Sequence, residues 1–156
     1  MYRGKRKDNG EWIEGSLLKV TISGETYYFI FCDEFALDGF DVKALSRAIV
    51  DPETIGEYSG LLDKNGKRIF EGDIIRVGRS YMFDDDDCKA EIGVGIVTLG
   101  IGTFDMGFYR YLGWHCKKSD GDVDSYPIVD CDEDWISEVI GPIHDNPELL
   151  EASGDE

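Results

Sequence analysis

Long apolar runs are missing from this sequence of 156 residues, and proline is scarce, with 4 residues against 19 glycines. No stretch approaches the ~20 apolar residues that a membrane-spanning helix needs. The basic start, MYRGKRKDNG, is not followed by the apolar segment of a secretory signal. We therefore expect a cytoplasmic protein with no membrane partner. Many glycines and aromatic residues with little proline favour short strands joined by tight turns.

Lysine and arginine are absent after Lys118, and the whole chain carries 33 acidic against 16 basic residues, a formal net charge of -17. A polyanion repels phosphate backbones, so we expect no direct nucleic-acid binding. It attracts cationic surfaces, including the DNA-binding face of another protein. Plain solubility is the alternative explanation of the same charge. The candidate partner-binding residues of the cation-free stretch are Asp130, Asp132, Glu133 and Asp134.

Metal-binding patterns are also lacking. The four cysteines, at positions 32, 88, 116 and 131, form no C-x-x-C pair and match no zinc spacing, so we expect free thiols. The run Asp84–Asp87 is typical of a solvated loop. The acidic residues at 120, 122 and 124 imitate the start of a calcium loop, but Ser125 replaces the required glycine and Cys131 the closing glutamate. We predict no metal site and no cofactor.

Catalytic motifs are equally scarce. The chain has two histidines, His115 and His144, and neither G-x-S-x-G nor H-E-x-x-H occurs. Each histidine has its nearest reactive neighbour, Cys116 or Asp145, adjacent in sequence, and adjacent side chains on a strand point to opposite faces. We therefore expect no enzyme, with a small metal-assisted hydrolase built on the aspartate clusters as an alternative. The three tryptophans, at 12, 114 and 135, are expected to anchor the core or an interface.

The first third of the chain predicts a hairpin followed by a helix. Apolar residues alternate at 18, 20 and 22, which indicates a strand buried on that face, and SGET is a turn. The continuously apolar Tyr27–Cys32 predicts a second strand covered on both faces. A short helix is expected from an Asp41 N-cap to Pro52. Its predicted apolar face consists of Val42, Leu45, Ala48 and Ile49.

The middle segment, YSGLLDKNGKRIFEGDIIRV (58–77), contains two glycine turns between apolar flanks. Asn65-Gly66 predicts a hairpin with a type I′ turn. Gly72 in EGD permits a bend, and Asp73 is expected to bond the backbone. A phosphate-binding P-loop is excluded because the glycine spacing is one residue too long and no Ser or Thr follows Lys67.

The rest of the chain predicts more strands. We expect glycine-rich strands at 92–100 and 103–114 and a last strand at 134–143. Strands of this kind suit a small, tightly curved barrel. A short terminal helix is expected to begin at Asn146 and Pro147.

Three segments together resemble one family. DPETIGEYSGLLDKNGKRIFEGDIIRV (51–77) resembles the signature segment of the YopX family of phage and prophage proteins, and YRGKRKDNGEWIEGSLL and EVIGPIHDNPELLE resemble that family's usual opening and close. The resemblance implies a protein encoded by a phage or prophage of a Gram-positive bacterium. It implies an N-terminal α+β portion followed by an SH3-like barrel, and it implies no activity and no catalytic residue.

The predicted fold class is α+β, mainly β. We expect an N-terminal α+β portion at 1–57, made of a hairpin and a short helix, an SH3-like β-barrel portion at 58–150, and an acidic tail at 151–156. The predicted function is that of a non-enzymatic accessory protein that binds a host or phage protein. The alternative is a self-assembling oligomeric scaffold whose edge strands and aromatic residues pair between chains.

Overall fold

The computed structural model describes residues 1–32, 42–79, 93–104, 109–117, 125–128 and 135–151. Over these residues the chain is mainly β, with antiparallel sheets and short helices. It divides into two compact units, Met1–Tyr58 and Ser59–Glu156. No helix in the described ranges is long and apolar enough to cross a membrane.

The first unit is a small antiparallel sheet with a short helix. Its strands are β1 (Tyr2–Lys5), β2 (Trp12–Ile22), β3 (Glu25–Phe31) and the start of β4 (Gly56–Leu62), in the order β3-β2-β1-β4. The helix α1 (Val42–Ala48) and a 3₁₀ turn (Pro52–Thr54) follow β3. The core consists of Ile13, Ile30 and Val50, against which Tyr2, Leu17, Tyr28, Cys32 and Ile55 pack.

The predicted hairpin is confirmed, because β2 and β3 pair antiparallel from Ser16↔Phe31 to Ile22↔Glu25. The face predicted to be buried is wrong: Leu18 is 48% exposed and Ile22 58%. The register explains this result. Leu17 lies opposite the fully buried Ile30, so the core side of β2 is the Leu17 side, and the side chain at 18 points the other way.

The predicted helix is confirmed but is shorter than expected. It ends at the fully buried Ala48, and the next two residues are extended, with Ile49 bridging Phe29 and Val50 bridging Arg6. Val50 donates its backbone N–H to the carbonyl of Tyr28. Strand-like pairing thus replaces the last helical position, and the predicted N-cap, Asp41, lies outside the described residues.

The second unit contains the end of β4 and a sheet ordered β10-β6-β7-β8-β9. The further elements are β5 (Arg68–Phe70), β6 (Asp73–Arg79), β7 (Gly93–Phe104), β8 (Tyr109–Lys117), β9 (Ser125–Pro127), β10 (Trp135–Pro142) and a terminal helix α2 (Glu148–Glu151). The strands predicted at 92–100, 103–114 and 134–143 overlap β7, β8 and β10. The break predicted at 101–102 is wrong, because β7 continues through these residues to Phe104. The predicted terminal helix is α2, which begins just after Pro147.

This sheet buries both of its faces. The main core consists of Ile69, Ile75, Val77, Val97, Cys116, Ile128 and Val139, with Trp114 and Trp135 packed against it. On the opposite face, Ile74, Val94 and Leu150 form a second cluster, so α2 covers that side. The predicted roles of Trp114 and Trp135 as core anchors are confirmed.

The edges of the sheet share the main core. Ile128 directly follows β9, at one edge, and Val139 lies on β10, at the other edge. A sheet whose two edge strands contribute to one cluster is strongly curved. The described strands nevertheless close no barrel, so the predicted SH3-like barrel is not confirmed.

Candidate functional site

The loop between β4 and β5 is organised by the buried carboxylate of Asp63, which is 4% exposed. Oδ1 accepts hydrogen bonds from the backbone N–H groups of Asn65 and Lys67, both at 2.8 Å, and Oδ2 accepts one from Val139 at 3.0 Å. Burial by itself raises the pKa of Asp63, but these bonds outweigh burial and hold the pKa below its ordinary value of 3.8. The carboxylate therefore stays ionised and ties the loop to β10.

The type I′ turn predicted at Asn65-Gly66 is wrong. The backbone carbonyl of Asp63 accepts the N–H of Gly66 at 2.9 Å, and Gly66 has a positive φ of 78° whereas Asn65 does not. This is a type I turn closed by a glycine bulge. Asp63 selects it, because its side chain captures the next N–H groups as in an Asx turn. The D-x-N-G pattern carried that signal, which our reading of the segment missed.

A second set of contacts joins the same loop to β10. The backbone N–H of Lys64 donates to the Ser137 carbonyl at 2.9 Å. The Lys64 ammonium lies 3.3 Å from the Glu138 carboxylate, which is also 3.5 Å from the Arg76 guanidinium. Ion pairs between partly exposed groups contribute about 0–1 kcal/mol, so the backbone bonds carry most of the attachment.

The predicted partner-binding residues, Asp130, Asp132, Glu133 and Asp134, lie outside the described residues. The nearest described residues on either side of them are Ile128 and Trp135. Ile128 is 7% exposed in the main core, and its N–H donates to the Trp114 carbonyl. Trp135 packs against the same core. The acidic segment is therefore attached to the core close to both of its ends.

A narrow crevice lies between these two residues. It is lined by Val77, Pro127, Ile128, Trp135, Ile136 and Ser137 and leaves no room for a water molecule. Sites for small molecules usually have volumes of ~300–1,000 Å³. The crevice therefore offers no space for a ligand.

The EGD turn has the predicted structure. Gly72 has a positive φ of 78°, and Asp73 accepts the N–H of Phe70 at 2.8 Å. Asp73 is fully buried at the start of β6. The second turn therefore aims β6 into the core, as the sequence indicated.

The described histidine of the sheet has a structural environment. His115 is 5% exposed, with Nδ1 3.1 Å from the Gly113 carbonyl and Nε2 2.9 Å from the Thr98 hydroxyl. A carbonyl only accepts, so Nδ1 donates, and in the neutral ring Nε2 accepts from Thr98. The Nε2 bond joins β8 to β7, whereas the Nδ1 bond lies within β8.

The predictions for the cysteines and for the possible metal ligands are tested only in part. Cys32 and Cys116 are free thiols, as expected, whereas Cys88 and Cys131 lie outside the described residues. The aspartate run 84–87 and the calcium-like acids at 120, 122 and 124 also lie outside them. Within the described ranges, no group of three or more His, Cys, Asp or Glu side chains could hold a metal ion.

The first unit has a larger groove of about 360 Å³ along β3. Its lining residues are Lys7, Glu25, Thr26, Tyr27, Tyr28, Ile49, Val50 and Pro52. The Tyr27 hydroxyl donates to the Glu25 carboxylate at 2.5 Å, and this bond, with the charge of Glu25, raises the pKa of Tyr27 above 10.0. The phenol is therefore neutral at physiological pH and is not an activated nucleophile.

Comparison with known families identifies the chain. A family model described as YopX protein matches residues 1–151. The chain belongs to the YopX family. The YopX match includes both units, the Asp63 loop and the acidic segment at 130–134, so it is wider than the three segments that first indicated it.

Comparison with individual proteins gives no information beyond the family. A solved structure entitled "Crystal structure of protein EF1440 from Enterococcus faecalis" is 22% identical to this YopX-family chain over 96% of each chain, with a TM-score of 0.37. A TM-score this low supports no further structural or functional conclusion. No curated protein matches the chain significantly.

Proposed function

We propose that this YopX-family protein is a non-enzymatic accessory protein of a phage or prophage that binds another protein in the cytoplasm of the bacterial host. The observation that carries the proposal is the acidic segment. Four of the five positions at 130–134 are carboxylates, in a chain of net charge -17 with no Lys or Arg after Lys118. The segment is attached to the main core through Ile128 and Trp135.

Attachment on both sides supports a binding role. A charged segment that is held near both ends loses less conformational entropy on binding than a free tail does. Concentrated negative charge accelerates association with a cationic surface. We propose that the partner surface is cationic, such as the nucleic-acid-binding face of a host or phage enzyme.

The uses of the titratable side chains support a function without catalysis. Asp63 and Asp73 accept backbone N–H groups, and His115 bonds through both ring nitrogens. General acid–base catalysis needs such a group directed at a substrate. These three groups are instead occupied in holding turns and strands.

We also propose that the second unit is an SH3-like barrel. The shared core of Ile128 and Val139, at opposite edges of the sheet, supports this proposal. A crystal structure in which residues between β8 and β10 join the two edges would establish the barrel. An open gap between β9 and β10 would contradict it.

The test of the binding role is a pull-down of tagged protein from nuclease-treated host lysate, read by mass spectrometry. The test variant neutralises Asp130, Asp132 and Asp134 to Asn and Glu133 to Gln. The control variant neutralises the run Asp84–Asp87 to Asn. Each variant changes the net charge from -17 to -13. A difference between them therefore reports on the position of the carboxylates and not on the total charge.

We expect a partner that is captured by the wild type and the control and is lost with the test variant. Its affinity should fall as salt is raised, because exposed charges are screened. Equal capture by both variants would contradict a role for the segment 130–134. Turnover of a substrate by the purified protein would contradict the non-enzymatic proposal.

A further inference from the structure

Strands β7 and β8 extend past the sheet that supports them. β7 pairs with β6 from Gly93 to Ile96, and β8 pairs with β9 from His115 to Lys117. Beyond these points, among the described strands, the two strands pair only with each other, as far as Phe104↔Tyr109. We call residues 98–104 and 109–113 the ribbon.

One face of the ribbon continues the core face of the sheet. Side chains two apart on a strand share a face, so Val97, Leu99 and Ile101 are in one row. Val97 is fully buried, Leu99 is 52% exposed and Ile101 61% exposed. The apolar row therefore passes out of the core and into solvent.

On the facing strand, β8, the exposure of the side chains on this face also increases away from the core. Cys116 lies opposite Val97 and is fully buried, whereas Leu112 lies opposite Ile101 and is 82% exposed. Leu99, Ile101 and Leu112 thus form one contiguous apolar surface. Contiguous exposed apolar patches, unlike single scattered apolar residues, mark interaction sites. An isolated two-stranded ribbon is also only marginally stable in water, so a covering surface would stabilise it.

The ribbon also differs in charge from the rest of the chain. Residues 93–104 and 109–117 contain no carboxylate, and Asp105 is the single acidic residue between Ile92 and Ser119. The whole chain has 33 acidic residues among 156. Two copies at net charge -17 repel each other, and the repulsion is smallest where the surfaces that meet carry no carboxylates.

We propose that the ribbon is a self-association surface, on which the ribbon of a second copy of this chain packs through Leu99, Ile101 and Leu112. Charge favours a second copy: the ribbon has no carboxylate and a single cation, Arg110, so an identical ribbon meets little like charge, whereas cationic partners are attracted to the acidic surface elsewhere. A two-fold contact between identical patches is self-complementary. The three side chains cover less than the roughly 800 Å² per partner of a standard interface, so we expect reversible association in the micromolar range.

The test is sedimentation equilibrium of the full chain from low micromolar to millimolar concentration. The ribbon variant is Leu99→Ser with Ile101→Ser. The matched control is Leu18→Ser with Ile22→Ser, because Leu18 and Ile22 are exposed on a strand to similar degrees, 48% and 58%. We expect the ribbon variant to raise the dimer Kd by about 100-fold or more, since a two-fold contact carries each substitution twice, and the control to leave it unchanged.

Further measurements accompany this comparison. Far-UV circular dichroism and thermal melting of each variant verify that both remain folded. Raising the salt concentration should strengthen self-association, because it screens the repulsion between two acidic chains. Amide hydrogen exchange should show that protection in residues 98–103 and 109–113 increases with protein concentration.

Three results would overturn the proposal. The first is a wild-type chain that stays monomeric at every concentration, which would also be expected if a foreign partner covers the ribbon. The second is association that survives the ribbon variant. The third is association that both variants abolish equally. The test is independent of the acidic segment, so its failure would leave the proposed partner binding unaffected.

Discussion

At the scale of single residues, Asp63 illustrates how one carboxylate can fix a loop. It accepts N–H groups from Asn65, Lys67 and Val139 and is almost fully buried. We predict that Asp63→Ala lowers the free energy of unfolding by about 3 kcal/mol, because charge-assisted bonds are lost and buried donors remain unsatisfied. Urea denaturation measures this change.

A matched control for this prediction is Asp51→Ala. Asp51 accepts one backbone N–H, that of Glu53, at 3.2 Å, as an N-cap. Loss of such a cap costs about 1 kcal/mol. An Asp63 variant no less stable than the Asp51 variant would show that the three bonds do not hold the loop.

The same residue predicts a pH dependence. The pKa of Asp63 is lower in the folded protein than its ordinary 3.8, so the unfolded chain binds the proton more readily. The stabilisation is therefore present above pH ~4 and is lost as pH falls through the native pKa. Denaturation of wild type and Asp63→Asn from about pH 6 downwards should show a stability difference that shrinks in acid. A difference that grows in acid would contradict the depressed pKa.

At the scale of secondary-structure elements, close packing of β7 against β8 depends on Gly95. A Cβ at this position would lie 2.5 Å from the Lys117 carbonyl oxygen and 2.8 Å from Cys116 Sγ. We predict that Gly95→Ala lowers the free energy of unfolding by about 1–3 kcal/mol through overpacking. On the facing strand, Gly113 has no atom within 4 Å of such a Cβ, so Gly113→Ala is the control. Equal stability of the two variants in thermal melts would contradict the close approach.

The elements also show which sequence patterns were informative. The hairpin of β2 and β3 and the strand β10 were predicted by apolar stretches between turn residues, whereas β7 and β8 were predicted as strands with the break between them placed too early. The predicted face of β2 was wrong because Leu17 and Leu18 are both apolar, and the pairing of Leu17 with the buried Ile30 chose between them. Local alternation cannot specify which side of a strand the core occupies.

The turn types were also only partly predictable from the local sequence. Asn65-Gly66 is a strong signal for a type I′ turn, but positive φ angles at two successive residues occur instead at Ser23 and Gly24, 53° and 87°. At 65–66, the carboxylate of Asp63 instead selects a type I turn by accepting the N–H groups of Asn65 and Lys67, and a bond from the distant Val139 holds that carboxylate in place. One local preference therefore overrides another, and a tertiary contact supports the outcome.

At the scale of the whole molecule, the net charge of -17 predicts a salt effect. Like charges destabilise the compact state, and screening reduces that repulsion as the Debye length falls from ~30 Å at 0.01 M to ~8 Å at 0.15 M. We predict that NaCl raises Tm over this range, by ~2–4 °C for each kcal/mol gained. The measurement belongs at low protein concentration, with the ribbon variant in parallel, so that self-association makes no contribution. A Tm that falls with salt would show that attractive ion pairs outweigh the net repulsion.

The sequence by itself determined the family, the mainly β composition of the fold, most of the strands and the absence of a P-loop, because these depend on local patterns and on residue identity. The tertiary structure decided which face of β2 is buried, how the Asp63 loop is attached to β10, and that the apolar row of β7 and β8 passes out of the core. These features depend on contacts between residues far apart in the chain, such as Asp63 with Val139. Their energies are fixed by packing and hydrogen bonding that no local pattern encodes.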